Sequence, residues 1–215
     1  MKRILVINPN SNPDVTDGIA KCVEPLNVPG RAEFECMTLA EGPFGIETLQ
    51  HSEQVVQPLR RTVLERQDAD AYIIACYSDP GLALCRETSG KPVFGIQESG
   101  LFAALQRGQQ VGVIALGPKS IARHLPYVRR LGLMDRLAAE RPLNLSVAES
   151  ESAAAFPRIK EVAEQLREED HADTLLLGCA GMAGHRAKLE DAVGLPVSDP
   201  TQAAATQALG AVLLA

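Results

Sequence analysis

The chain has 215 residues, of which 46% are hydrophobic and 22% charged, with a net charge of −6. That is a globular mixture with room for one large or two small units. Its acidity argues against a phosphate-backbone partner, so nucleic acid is not expected. Aromatic residues make up 4% and Trp is absent, so the core must be mostly aliphatic.

At the N-terminus, Met1-Lys2-Arg3 is followed only by the short run Ile4–Ile7 before Asn8-Pro9-Asn10 interrupts it. This is too short for a signal peptide, and no stretch approaches the ~18 apolar residues of a membrane span. The expectation is a cytoplasmic protein with no membrane partner. Further along, Ala71–Ala75, Val93–Ile96, Val111–Leu116 and Thr174–Leu177 join Ile4–Ile7 as continuously apolar runs, the pattern of strands buried in a parallel sheet. Phe156, Ile159, Val162, Ala163 and Leu166 form a helical stripe between two of them. Asn12-Pro13, Asp79-Pro80 and Asp199-Pro200 each read as a cap followed by proline at the first helical position. Strand and helix in alternation predict an α/β fold with its ligand crevice at the carboxyl ends of the strands.

An internal echo divides the chain. Ala69-Asp70-Ala71-Tyr72-Ile73-Ile74-Ala75-Cys76 lies over Ala172-Asp173-Thr174-Leu175-Leu176-Leu177-Gly178-Cys179, 103 residues on, and Lys91-Pro92-Val93 lies over Leu195-Pro196-Val197, 104 residues on. Arg3–Ile7 has its counterpart in Gln110–Ile114. Strand, helix, Cys-ending strand and Pro-Val strand recur in one order. The expectation is two pseudosymmetric parallel-sheet α/β domains, residues 1–97 with 200–215 and residues 98–199, with the site in the cleft between them.

Five cysteines, at positions 22, 36, 76, 85 and 179, form no CxxC pair, which fits neither a disulfide scaffold nor a zinc ribbon. A cysteine at a strand end can simply fill space as a small hydrophobe. Cys76 and Cys179, however, end matching strands of the two repeats, where N–H groups at a following helix start favour a thiolate. Two thiols facing one carbon from opposite sides suit inversion of a stereocentre with an acidic C–H, one acting as base and the other as acid. Cys22, Cys36 and Cys85 lack that placement and read as packing or incidental surface.

The segments Ile7-Asn8-Pro9-Asn10-Ser11, Ala75-Cys76-Tyr77-Ser78-Asp79-Pro80-Gly81-Leu82 and Leu177-Gly178-Cys179-Ala180-Gly181-Met182 resemble signature stretches of the aspartate/glutamate/hydantoin racemase superfamily, and most closely its hydantoin and allantoin racemase branch. With Gly95-Ile96-Gln97-Glu98 and Val197-Ser198-Asp199-Pro200 the resemblance covers essentially the whole chain. It implies a homo-oligomeric racemase that uses no cofactor and works with two cysteines, at the positions of Cys76 and Cys179. Members that replace one of the two tend to be decarboxylases. The implied substrate is a small cyclic ureide, a 5-substituted hydantoin or allantoin.

Charge developing on a carbonyl oxygen needs N–H donors, and Tyr77, Ser78, Ala180 and Gly181 are the candidates. Asn8 and Asn10 can offer amides to a ureide, or can serve only the Asn-Pro-Asn-Ser turn. In Gly42-Pro43-Phe44-Gly45, Phe44 and Gly45 are candidates for a loop over the site, and the same four residues also make a good turn. Relatives often carry hydroxyl residues where Ala115 and Leu116 stand. His51, His124, His171 and His185 are scattered, read as surface or loop residues, and give no metal-ligand spacing, with His51 and His185 each a few residues from a proposed site segment and so also candidates to stand behind it; no nucleotide or pyridoxal signature appears. An aspartate or glutamate racemase, a maleate isomerase or arylmalonate decarboxylase, and a non-catalytic two-lobed binding protein stand as alternatives.

Overall fold

The structure is a computed structural model that describes residues 1–214. In the first half, β1 (Lys2–Asn8) leads through α1 (Pro13–Val23) to β2 (Ala32–Thr38). Then come α2 (Leu49–Gln54), α3 (Val56–Glu65), β3 (Ala71–Ile74), α4 (Leu82–Ser89) and β4 (Val93–Gly95). After α5 (Ile96–Leu105) the pattern repeats with β5 (Val111–Ala115), α6 (Pro118–Arg130), β6 (Leu137–Pro142), α7 (Val147–Glu151) and α8 (Phe156–Glu168). It continues with β7 (Thr174–Leu177), α9 (Arg186–Val193) and β8 (Val197–Ser198), and α10 (Pro200–Leu214) completes it. The sheets are β2-β1-β3-β4 and β6-β5-β7-β8, all pairs parallel, so the two halves share one strand order. Ile7 pairs with Ile74 and Ile114 with Leu177, which puts Cys76 and Cys179 just beyond equivalent strand ends.

β2 and β6 escape a search for continuous apolar runs because they are edge strands. Glu33 and Glu35 alternate with Phe34 and Cys36, and Leu137–Pro142 is half-buried throughout. The inner strands are apolar on both faces. Ile4 and Val6 enter a core shared with Val113, Leu176 and residues of α5 and α10, while Leu5 and Ile7 pack with Leu59, Val63 and Tyr72 on the other side. α10 runs back over α5 and the first sheet. Among the described residues no helix is long and apolar enough to cross a membrane.

Two of the three Pro-marked helix starts form as expected: Asn12 Oδ1 accepts the Asp14 N–H at 3.1 Å and Asp199 Oδ1 the Gln202 N–H at 2.7 Å. The third is corrected. α4 begins only at Leu82, behind Gly81 at φ +68°, and Asp79, itself at φ +43°, turns its carboxylate onto the start of α5. There Gly95 is required, since a Cβ would lie 2.3 Å from the Asp79 carboxylate.

Candidate active site

The two halves meet in a small cavity of about 30 Å³, space for about one water molecule. Cys76 and Cys179 both line it, one from each sheet, together with Asn10, Tyr77, Ser78 and Ala180 among the expected residues. Each thiol lies two residues beyond the end of its strand, Cys76 after Ile74 and Cys179 after Leu177. Gly178 lets the Cys179 segment pass close to β5, because a Cβ there would meet the Ile114 carbonyl at 2.6 Å.

Local geometry differs around the two sulfurs. Cys179 caps a 3₁₀ helix, Ala180–His185, whereas Cys76 opens a turn in which the Asp79 N–H donates to the Cys76 carbonyl at 3.0 Å, well before α4. Burial pushes the Cys76 thiol up to about 12, opposed by the Arg123 charge and a hydrogen bond from the Ser78 backbone. Burial likewise pushes Cys179 up to about 11, opposed by the Gly181 backbone and Ser150. The expectation of helix-favoured thiolates is therefore corrected: desolvation outweighs the backbone donors, and both thiols are neutral in the free site.

Arg123, on α6, crosses the cleft. Its guanidinium donates to the Glu47 and Lys119 carbonyls at 2.7 and 3.2 Å and to the Ile46 carbonyl at 3.3 Å. It also reaches the Ser78 and Ser120 hydroxyls at 3.3 and 3.4 Å. All five N–H donors thus go to protein oxygens. A second tie joins the same loop to the second half, the Val147 N–H donating to Glu47 Oε1 at 3.1 Å.

A family model described as Asp/Glu/Hydantoin racemase matches residues 4–208. The chain belongs to that family. It is 32% identical to a hydantoin racemase of Paenarthrobacter aurescens over 99% of this chain and 92% of that one. Its fold matches a crystal structure of allantoin racemase from Pseudomonas fluorescens with a TM-score of 0.93 at 30% identity, covering 99% of this chain and 91% of that one. It also matches allantoin racemase from Klebsiella pneumoniae with a TM-score of 0.94 at 25% identity, covering 100% and 89%. The protein is an isomerase, a racemase of this family.

Several expected contacts lie elsewhere in the racemase. Phe44 is 63% exposed, and it is Ile46, two residues on, that reaches the cavity from the same loop. Gly45 packs on Val147 instead of the cavity. Asn8 is spent on its own turn: its Nδ2 donates to Asn10 Oδ1, the Asn12 carbonyl and Thr16 Oγ1, and its Oδ1 accepts the Asn10 N–H. Asn10 alone of the pair enters the wall. Gly181 is absent from the lining.

Two histidines expected at the surface are buried. His124 is 1% exposed and lines the cavity of the racemase, while His185 Nε2 donates to the Ser150 carbonyl at 3.1 Å. Sequence reasoning also missed Arg123 and Ser120. The signal available was helical spacing, since Ser120, Arg123 and His124 share one face of α6 behind Gly117-Pro118.

Proposed function

We propose that this racemase inverts the stereocentre of a cyclic ureide, a 5-substituted hydantoin or allantoin, with Cys76 and Cys179 as the two acid/base groups and no cofactor. The observation that carries the reading is that the two sulfurs, from equivalent strand ends of the two halves, line one cavity. Because both thiols are neutral in the free site, one first releases its proton to solvent as substrate binds, and the resulting thiolate removes the proton from the carbon beside the carbonyl. The C–H electron pair moves toward the carbonyl oxygen, and the other thiol delivers its proton to the opposite face. The cysteines end with their roles exchanged, ready for the other enantiomer.

A neutral ureide suits the cavity better than a free amino acid. A carboxylate would call for a cationic clamp, and the one arginine or lysine in the wall, Arg123, has committed its N–H groups to Ile46, Glu47, Ser78, Lys119 and Ser120. The kinship to hydantoin and allantoin racemases supports the same substrate class.

The test is polarimetry on single-enantiomer 5-benzylhydantoin and allantoin beside L-aspartate and L-glutamate. The wild-type protein should erase the rotation of a ureide and leave the amino acids untouched, and Cys76→Ala and Cys179→Ala should each abolish the change. Turnover of amino acids alone would overturn the substrate class. Undiminished racemisation by either variant would overturn the two-cysteine scheme.

A further inference from the structure

We propose that His124, held by Glu140, is a further hydrogen-bond donor for the reaction, presenting Nε2 to the carbonyl oxygen on which charge gathers as the substrate C–H breaks. The inference rests on the two-cysteine reading for the position of that carbon. His124 lies in the cavity wall, yet it is tied down on its other side. Its Nδ1 is 2.9 Å from Glu140 Oε2, and the two side chains are 2% and 1% exposed. Its backbone carbonyl accepts the Gln97 side-chain amide at 3.3 Å. The Tyr77 ring meets the imidazole edge-on, with centroids 4.8 Å apart and planes at 77°. The ring plane is therefore set by the protein.

With Nδ1 on a carboxylate, Nε2 is the ring nitrogen left to meet a ligand. For Nε2 to donate, the buried pair shares one proton between Nδ1 and Oε2 and keeps a second on Nε2, the arrangement that leaves the pair with no net charge. Nε2–H is then a fixed donor in a water-poor cavity, where such donors stabilise developing charge most. The site has need of one, because Arg123, the cationic donor in the wall, spends its N–H groups on protein oxygens. As the thiolate takes the proton and the electron pair shifts to oxygen, Nε2–H strengthens its hydrogen bond and keeps its proton. The opposite thiol completes the transfer. Glu140, outside the cavity lining, acts through His124 and is a positioning residue.

Two substitutions separate this role from packing. In His124→Asn the amide nitrogen can replace Nδ1 and keep the Glu140 contact while Nε2 is lost; His124→Gln reaches the Nε2 position and gives up Glu140. The expected result is a kcat at least about 100-fold lower in His124→Asn, the size of loss seen when an oxyanion donor is removed. KM and melting temperature should stay close to wild type, and His124→Gln should keep more kcat than His124→Asn. A folded His124→Asn with wild-type kcat would overturn the proposal. If that variant does not fold, the ¹⁵N resonance of His124 Nε2 in the wild-type protein is followed while planar 5-benzylidenehydantoin is added to saturation. A shift supports the contact, and an unmoved resonance overturns it. Kinetics are run on whichever of 5-benzylhydantoin, allantoin, aspartate or glutamate the wild-type protein racemises, so a wrong substrate class and a wrong role for His124 give different results. Activity surviving in Cys76→Ala counts against the two-cysteine scheme alone.

Discussion

Asp79 and Gln97 are joined across the first half: the Gln97 N–H donates to Asp79 Oδ1 at 2.9 Å, and the neighbouring Glu98 N–H donates to Oδ2 at 2.9 Å. A carboxylate from the turn beside Cys76 thereby caps α5, the helix that packs against α10 and β7 between the two sheets. The position of the Cys76 turn and the seating of the halves depend on one side chain.

Gly95→Ala tests that dependence. Its Cβ would fall 2.3 Å from the Asp79 carboxylate, which two N–H donors hold in place, so the carboxylate must leave its cap. Overpacking of this kind costs about 1–3 kcal/mol. Chemical denaturation should give a lower midpoint, and kcat should fall with it because the Cys76 turn moves; an unchanged midpoint would contradict the cap.

Burial raises the carboxyl of Asp79 to about 7 and that of Asp199 to about 6, both against opposing backbone donors. The folded state therefore holds these protons more tightly than the unfolded chain does. The stability this contributes is complete below about pH 4 and is lost as pH rises through 6 and 7. Carboxylates with lowered values, such as Asp70 and Glu190, act in the opposite sense but only at more acid pH. Melting temperature should thus fall between pH 5 and 8, and less steeply in Asp79→Asn. A rise across that window would contradict the assignment.

Arg123 ties α6 to the loop that carries Ile46 and Glu47. Arg123→Met keeps the stem and orphans those carbonyls, a loss of about 1–3 kcal/mol for each one left buried without a partner. Lys cannot restore a planar five-donor fork. Both variants should melt lower and show KM raised more than kcat is lowered, since the loop closes over the cavity. An unaffected KM would exclude the loop from substrate binding.

Both site thiols are raised by burial, to about 12 for Cys76 and about 11 for Cys179. Thiolate absorbance in the ligand-free protein should show neither ionising below about pH 9, two units under the lower value. Subtracting the titration of the Cys76→Ser/Cys179→Ser double variant isolates the pair. Ionisation of either thiol near neutrality would show that the backbone donors outweigh desolvation.

Much of this fold could be read along the chain because inner strands buried on both faces carry continuous apolar runs, and because Ala-Asp and Cys repeat at both β3 and β7. Cys76 and Cys179 were visible through the same repeat. What stayed hidden depends on contacts between distant segments. β2 alternates like any amphipathic stretch, β6 runs from Leu137-Ala138-Ala139 straight into Glu140-Arg141-Pro142, Asp79 looks like the cap of its own helix until α5 comes alongside, and Phe44 and Ile46 are indistinguishable until the loop packs. Arg123 and His124 sit in a basic helix that reads as a solvated face; only the closure of α6 over the cleft turns that face inward, and only the buried Glu140 on an edge strand fixes the histidine.

The most direct measurement is deuterium exchange from D₂O into each separate enantiomer of a 5-substituted hydantoin by Cys76→Ser and Cys179→Ser. With one thiol on each face, a protein lacking one of them can still remove and return the proton on the side it keeps. Each variant should therefore fail to racemise yet exchange one enantiomer with retention, and the two variants should choose opposite enantiomers. Exchange of the same enantiomer by both, or racemisation by either at the wild-type rate, would contradict a two-faced cysteine pair.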